Sequence, residues 1–434
     1  MQFNAIWRTG AWLVGLGCAG LAAAQAPQLP PPDAVALERL GYMSTFPPTP
    51  EQQVDQSNRT KYPQSRWVFQ HVREVVPTRN IRRGIGPVSA LPTAEKNLDG
   101  YVFEDEKGQK TSVADWLKST YTDSVVVMHK GKVVYERYLN QMTPETPHLL
   151  FSVTKSFTGL LAAQLAHEGK IDLDAMVTKY IPELADSAWG DMKVREVMDM
   201  TGAVRYREVF TDPTSEVFPY LYASNLLPPP SGYGGPKDIY SFLKTLKKEG
   251  EHGTGFVYRT VHSEVLGWIV SRVTGKHFSD VMSDRIWSKL GAEEDAYIML
   301  DPVGTPLQGS GLNATTRDLA RFGEMLRRGG TYNGQKVLDK AVVDELQKGG
   351  DREKFKAAPN RAAWAGYSYH NQWWISHNAD GTFEALGVNG QYVHINPAAQ
   401  MVVVKLSSHP VTFAGFWHLS HTKAFAALAQ AVRQ

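Results

Sequence analysis

The sequence predicts an α+β fold, in which one antiparallel sheet draws strands from both ends of the chain and a mainly helical part is inserted between them. Three observations predict it. The stretch "SVVVMHKGKVVYERYL" from Ser124 holds two β-branched runs around a Lys130-Gly131-Lys132 turn, which reads as a hairpin. Residues from about 172 to 345 then carry amphipathic helical segments, among them "DMKVREVMDMTG", "KDIYSFLKTLKKEG", "HSEVLGWIVSRVTGK" and "TTRDLARFGEMLRRGG". Strands return in "QWWISH", "TFEALGV", "GQYVHINP" and "QMVVVKLSS", before a closing alanine-rich helix "TKAFAALAQAVRQ". Strands, helices, then strands is not the alternation of a parallel βαβ sheet.

The chain begins differently. Residues 1–26 contain one arginine, an apolar run over residues 11–24 and the small-x-small triplet Ala24-Gln25-Ala26. That order reads as a secretory signal peptide cut after Ala26, and it predicts a secreted or periplasmic protein with no stable membrane span. The sole cysteine, Cys18, lies in this segment, so the mature chain would hold no thiol, disulfide or cysteine metal site. Lipid modification at Cys18 is the alternative, and its upstream residues Gly15, Leu16 and Gly17 fit a lipobox poorly. "PQLPPP" is a stiff linker, and residues 27–95 read as a linker and an arm wrapping the main body, residues 96–434.

Composition bounds the function. With 42% hydrophobic and 21% charged residues the chain is globular, and a formal net charge of +2 calls for neither nucleic acid nor an anionic surface as partner. No G-x-S-x-G occurs, so an α/β-hydrolase nucleophile elbow is not supported; no P-loop or Rossmann glycine string occurs either, and no cofactor is expected. The 13 histidines include no H-E-x-x-H; His418 and His421 are the nearest approach to a metal pair, and no metal is expected. The oligomeric state has no signature here.

One helix carries chemistry. "LLFSVTKSFTGLLAAQLAHEGKIDLD" opens an apolar helix with Ser152 and Lys155, and Gly169 is positioned to end it. Three residues apart, the two side chains share a helix face. A serine there is either an N-cap or a nucleophile near free backbone N–H groups, which can hold an oxyanion. The lysine is either a solvated amine or the group that keeps a hydroxyl or its proton acceptor deprotonated. A second S-x-x-K, Ser241 to Lys244, sits among Lys237, Lys247 and Lys248 on a solvated face. The copy at Ser152 is flanked by Leu149, Leu150, Phe151, Phe157, Leu160 and Leu161, where an unpartnered ammonium would be costly.

Several segments occur together in an order that resembles the serine β-lactamase and penicillin-binding family. They are "FSVTKSF", "GKIDLD", "VMDMTG", "YRTVHSEVLGWIVSRVTGK" and "GLNATTRDLARFGEMLRRGG", over about residues 100–430. The resemblance is strongest to the branch of class C enzymes, esterases and 6-aminohexanoate-dimer hydrolases. It implies that family's fold, and it makes Ser152 the acylated nucleophile and Lys155 its partner. Tyr258 would be the general base, a role for which an unperturbed phenol of pKa about 10 needs an adjacent cation. In place of K-T-G on the strand beside the site stands "ALGVNGQYV". There Gly387 matches the motif glycine, Val388 would donate the second oxyanion N–H, and Ala385 replaces the cation that grips a β-lactam carboxylate. Thr260 stands where the family's Y-x-N asparagine reaches the acyl amide, and Tyr206 falls on a loop that contacts substrate in the aminohexanoate branch. The tryptophans Trp364, Trp373 and Trp374 are expected in the core or the cleft wall.

The function expected is an exported serine hydrolase of a small amide or ester. A β-lactamase or DD-peptidase, and a non-catalytic fold of the same family that binds a ligand or peptide, are the alternatives.

Overall fold

The structure is a computed structural model that describes residues 29–434 apart from 211, 359–361 and 413–414. The expected signal peptide and Cys18 lie outside the described residues. Among the described residues no helix is long and apolar enough to cross a membrane.

The central sheet has seven strands in the order Ser368–His370, Trp373–Ile375, Phe383–Gly387, Gln391–Asn396, Met401–Ser407, Thr122–His129 and Lys132–Tyr138. Every neighbouring pair is antiparallel. The last strand of the chain, Met401–Ser407, pairs with Thr122–His129, so both ends of the chain share one sheet as expected. The hairpin turn is Lys130-Gly131, both at positive φ (52° and 80°), the geometry a two-residue connection needs.

Side chains alternate across these strands and both faces are covered, which is why the runs 125–128 ("VVVM") and 401–404 ("MVVV") are apolar without a polar alternate. Val126, Met128, Val402 and Val404 pack with Phe157, Leu161, Leu319 and Phe322 on one side. Val125, Val127, Met401 and Val403 pack with Trp116, Phe425 and Leu428 on the other. The Ser152 helix, Val153–His167, belongs to the first layer, and the C-terminal helix, Gly415–Arg433, belongs to the second.

A second sheet was not foreseen. Thr78–Ile81, Ala296–Met299, Leu312–Ala314 and His148–Leu149 form four short strands in that order. Strands of two to four residues carry too few alternations to show in a sequence. This sheet ties residues from the N-terminal part to the residues just before Ser152. Arg66, Asp123, His148, Asn140 and Ser408 add a buried polar knot at the same end: Asp123 accepts from Asn140 Nδ2 at 2.7 Å and Ser408 Oγ at 3.0 Å, and lies 3.1 Å from His148 Nε2. Arg66 Nε donates to Ser408 Oγ at 2.9 Å.

The Ser152 helix is held from behind by the turn Asn371-Gln372, two left-handed residues (φ 49° and 64°). Ser156 Oγ donates to the Gln372 carbonyl at 2.9 Å, and Trp373 Nε1 donates to the Ser156 carbonyl at 3.0 Å. A methyl group at Gly159 would collide with the Asn371 carbonyl. Gly159→Ala is therefore expected to lower unfolding free energy by about 1–3 kcal/mol through overpacking, read from urea titration at constant m-value.

Candidate active site

Ser152 sits at the start of its helix with αR backbone angles, and its hydroxyl makes no capping hydrogen bond. Lys155 Nζ instead donates to Ser152 Oγ at 3.0 Å and to the Gly309 carbonyl at 2.6 Å. The lysine is 1% exposed, in a helix whose residues from Val153 to Leu165 are all buried. The capping reading of the serine is thereby overturned: its hydroxyl is spent on the lysine.

The backbone enters this site under constraint. Phe151 has φ +46°, an uncommon conformation for a residue with a large side chain. It is braced by the N-terminal part of the chain. The Phe69 ring meets the Phe151 ring edge-on at 4.9 Å, the Phe69 carbonyl accepts the Leu149 N–H at 2.8 Å, and the Leu312 carbonyl accepts the Leu150 N–H at 2.9 Å.

Tyr258 arrives from a distant segment. It precedes the helix Thr260–Thr274, and the Met200 carbonyl accepts the neighbouring Val257 N–H at 3.0 Å. Its ring stacks on Trp374 (centroids 5.7 Å, 29°) and meets Tyr369 edge-on at 5.9 Å. Lys155 Nζ lies 5.3 Å from the ring centre, so serine, lysine and tyrosine converge. Trp373 is fully buried behind the Ser152 helix, while Trp364 stacks on Trp374 at 5.1 Å.

The strand Phe383–Gly387 runs beside Leu150, two residues before Ser152. A Cβ at Gly387 would strike the Leu150 carbonyl, so only glycine permits this approach. Val388 follows in a tight turn pinned from two sides. Gln391 Nε2 donates to the carbonyls of Val388 (3.2 Å) and Ser407 (2.7 Å), and Asn389 Nδ2 donates to the His409 carbonyl at 2.7 Å. Ala385 is fully buried on this strand.

Thr260 and Tyr206 are placed differently from a simple substrate contact. The Thr260 N–H donates to Glu208 at 2.7 Å, and its methyl faces Gly309. Tyr206 is 3% exposed, packed between Tyr220 (6.2 Å) and Phe242 (6.3 Å); burial first, then the Glu208 charge, pushes its phenol up. His418 and His421 stack on Trp364 (4.7 Å) and Tyr392 (4.6 Å), and among the described residues no cluster of His, Cys, Asp and Glu could hold a metal.

Two carboxylates were missed. Burial pushes the Lys155 ammonium down to about 8, against the pull of Glu208 and then Glu264. Glu264 is fully buried, and burial raises it to about 7 despite its hydrogen bond from Tyr220 and the nearby Lys155 charge. The signal was present for Glu264, a charge in "VHSEVLGW" on an otherwise apolar stretch, as Lys155 is in its own helix. Glu208 lies in a loop and had none.

A half-buried serine beside a buried lysine, a stacked tyrosine and a glycine-bearing strand edge form a site suited to attack on a carbonyl carbon. Known proteins agree with the class. The Beta-lactamase family model matches residues 117–416, and the chain belongs to that family. It is 35% identical to the 6-aminohexanoate-dimer hydrolase of Paenarthrobacter ureafaciens over 357 residues, covering 82% of this chain and 88% of the relative. A solved structure described as a "Putative 6-aminohexanoate-dimer hydrolase from Bacillus anthracis" superposes with a TM-score of 0.81 at 33% identity, covering 88% of this chain and 97% of that one. A class C beta lactamase from Rhodobacter sphaeroides shares the fold, with a TM-score of 0.52 at 15% identity over 73% of this chain and 97% of its own. The chain is a β-lactamase-fold hydrolase, similar to the aminohexanoate-dimer enzymes.

Gly387→Ala is expected to displace the strand edge and lower ester kcat/KM roughly 100-fold, as a displacement of about 1 Å does in oriented catalysis. Turnover equal to wild type would mean that this strand does not line the site.

Proposed function

We propose that the protein is an exported serine hydrolase that cleaves a small linear amide or ester through an acyl-enzyme on Ser152. One observation carries the reading: Lys155, buried and 3.0 Å from Ser152 Oγ, is spent on a hydroxyl that has no capping role. Export rests on the signal-like character of residues 1–26.

In this reading Tyr258 acts as a phenolate beside the Lys155 cation. It takes the Ser152 proton as Oγ bonds to the substrate carbonyl carbon. The oxyanion is received by the backbone N–H groups of Ser152 and Val388, the second presented next to Gly387. Tyr258 then hands the proton to the departing amine or alcohol, leaving an ester on Ser152. A water takes the leaving group's place: it gives its proton to Tyr258 as its oxygen bonds to the ester carbon, the acyl–Oγ bond breaks as Tyr258 returns that proton to Ser152 Oγ, and the acid leaves. Thr260 acts indirectly, its N–H holding the Glu208 carboxylate that pulls on Lys155, and the buried Tyr206 packs between Tyr220 and Phe242 without reaching the substrate.

The relative named for 6-aminohexanoate dimer supports a linear amide as substrate. The cell-wall reading has weaker support, because the position expected to offer a cation is the buried Ala385.

Two outcomes test this. Ser152→Ala is expected to cut turnover of both p-nitrophenyl butyrate and 6-aminohexanoate dimer by at least about 1,000-fold. Activity surviving that change would remove Ser152 from the chemistry. The pH dependence has a definite sign as well. The Lys155 ammonium exists below about 8 and is lost as pH rises through that value, so kcat/KM is expected to fall on an alkaline limb near pH 8. A rate that keeps rising to pH 10, after correction for spontaneous hydrolysis, would show that the cation is not required.

A further inference from the structure

The helix that follows Tyr258 carries a second buried charge, and its hydrogen bonds lead back to the lysine. Glu264 Oε1 accepts the Tyr220 hydroxyl at 2.8 Å and the Gly309 N–H at 3.0 Å. Its Oε2 accepts the Gln308 N–H at 2.9 Å and, with the Gln308 amide in its satisfied orientation, Gln308 Nε2 at 2.7 Å. The same Gly309 turns its carbonyl to Lys155 Nζ at 2.6 Å. One residue is thus clamped at its N–H by the carboxylate and at its C=O by the lysine.

Close packing makes this relay specific to the residues present. A Cβ at Gly309 would stand 2.9 Å from Glu264 Oε1 and 2.8 Å from the Thr260 methyl. Gly267, one turn after Glu264, lets the helix press against Gln308, whose side chain any Cβ there would strike. A carboxylate so enclosed needs all these donors, because water cannot replace them. The groups that act on Lys155 are then Glu264 through Gly309, Glu208 from the loop that caps Thr260, the Tyr258 ring and the Ser152 hydroxyl.

We propose that Glu264 is a positioning residue for the Ser152 chemistry: through Gly309 it fixes the place of Lys155 Nζ, and as a buried counter-charge it keeps that amine ionised beside Ser152 and Tyr258. The inference rests on the function proposed above and adds to it a residue that touches neither substrate nor nucleophile. Removing the negative charge makes the ammonium easier to deprotonate, so the alkaline limb of activity moves to lower pH. A residue that merely supported the fold would lower the rate without moving the limb.

The test uses the full chain, with kcat and KM for p-nitrophenyl butyrate measured from pH 6 to 9.5, melting temperature, and the mass shift left on Ser152 by a fluorophosphonate. In Glu264→Gln the limb is expected to move down by about one pH unit, with kcat falling more than KM changes. Glu264→Asp, which keeps the charge, is expected to return the limb to the wild-type pH even where its rate stays low. Tyr220→Phe removes one donor from the carboxylate and leaves the backbone clamp, so it should shift the limb in the same direction by less. If Glu264→Gln does not fold, Tyr220→Phe decides. A folded, label-competent variant whose limb coincides with wild type would overturn the proposal. A wild-type protein that takes no label would instead count against the Ser152 reading beneath it.

Discussion

A lysine ammonium buried at the start of an apolar helix is the constraint around which the rest of this protein is arranged. Lys155 is 1% exposed, and an isolated charge in such surroundings costs several kcal/mol unless other groups replace water. The replacements come from segments far apart in the chain: the Ser152 hydroxyl, the Gly309 carbonyl, the Tyr258 ring face and the carboxylates Glu208 and Glu264. The same requirement that keeps the lysine solvated by protein brings together the groups that can attack and protonate a carbonyl compound.

Convergence of this kind needs backbones to pass closely, and here the fold depends on missing side chains. Gly159 lets the Asn371-Gln372 turn rest on the Ser152 helix, Gly309 admits the Glu264 carboxylate, and Gly387 lets a strand edge run against the residues before Ser152. On the other flank the N-terminal part of the chain is structural support for the site. Phe69 braces the left-handed Phe151, and the second sheet carries the chain from His148 to Ser152 in a fixed direction. Strain at Phe151 is tolerated because neighbours on both sides over-determine it.

The site has more negative than positive partners around its lysine, and the strand beside it offers the buried Ala385 in place of a cation. In the function proposed above, that balance disfavours a substrate that must seat a carboxylate, as a β-lactam does. The aromatic wall of Trp374, Tyr369 and Trp364 behind Tyr258 gives that residue a rigid seat, since stacked rings leave it little freedom to rotate.

Much of this was legible in the sequence. The hairpin around Lys130-Gly131, the returning strands and the helix ending before Gly169 follow from local periodicity and turn chemistry, which neighbouring residues alone decide. Ser152 and Lys155 stood out because a lysine between leucines and phenylalanines has no local explanation, and the order of the motifs added Tyr258, Gly387 and Val388. What tertiary structure decided was which groups answer that lysine. No spacing announces that Gly309, more than 150 positions away, offers its carbonyl, that Glu208 rather than Tyr206 is the loop residue turned to the charge, or that Phe69 props Phe151. Those partners are chosen by where packed segments meet, and a hydrogen bond between distant segments leaves no periodic trace in either of them.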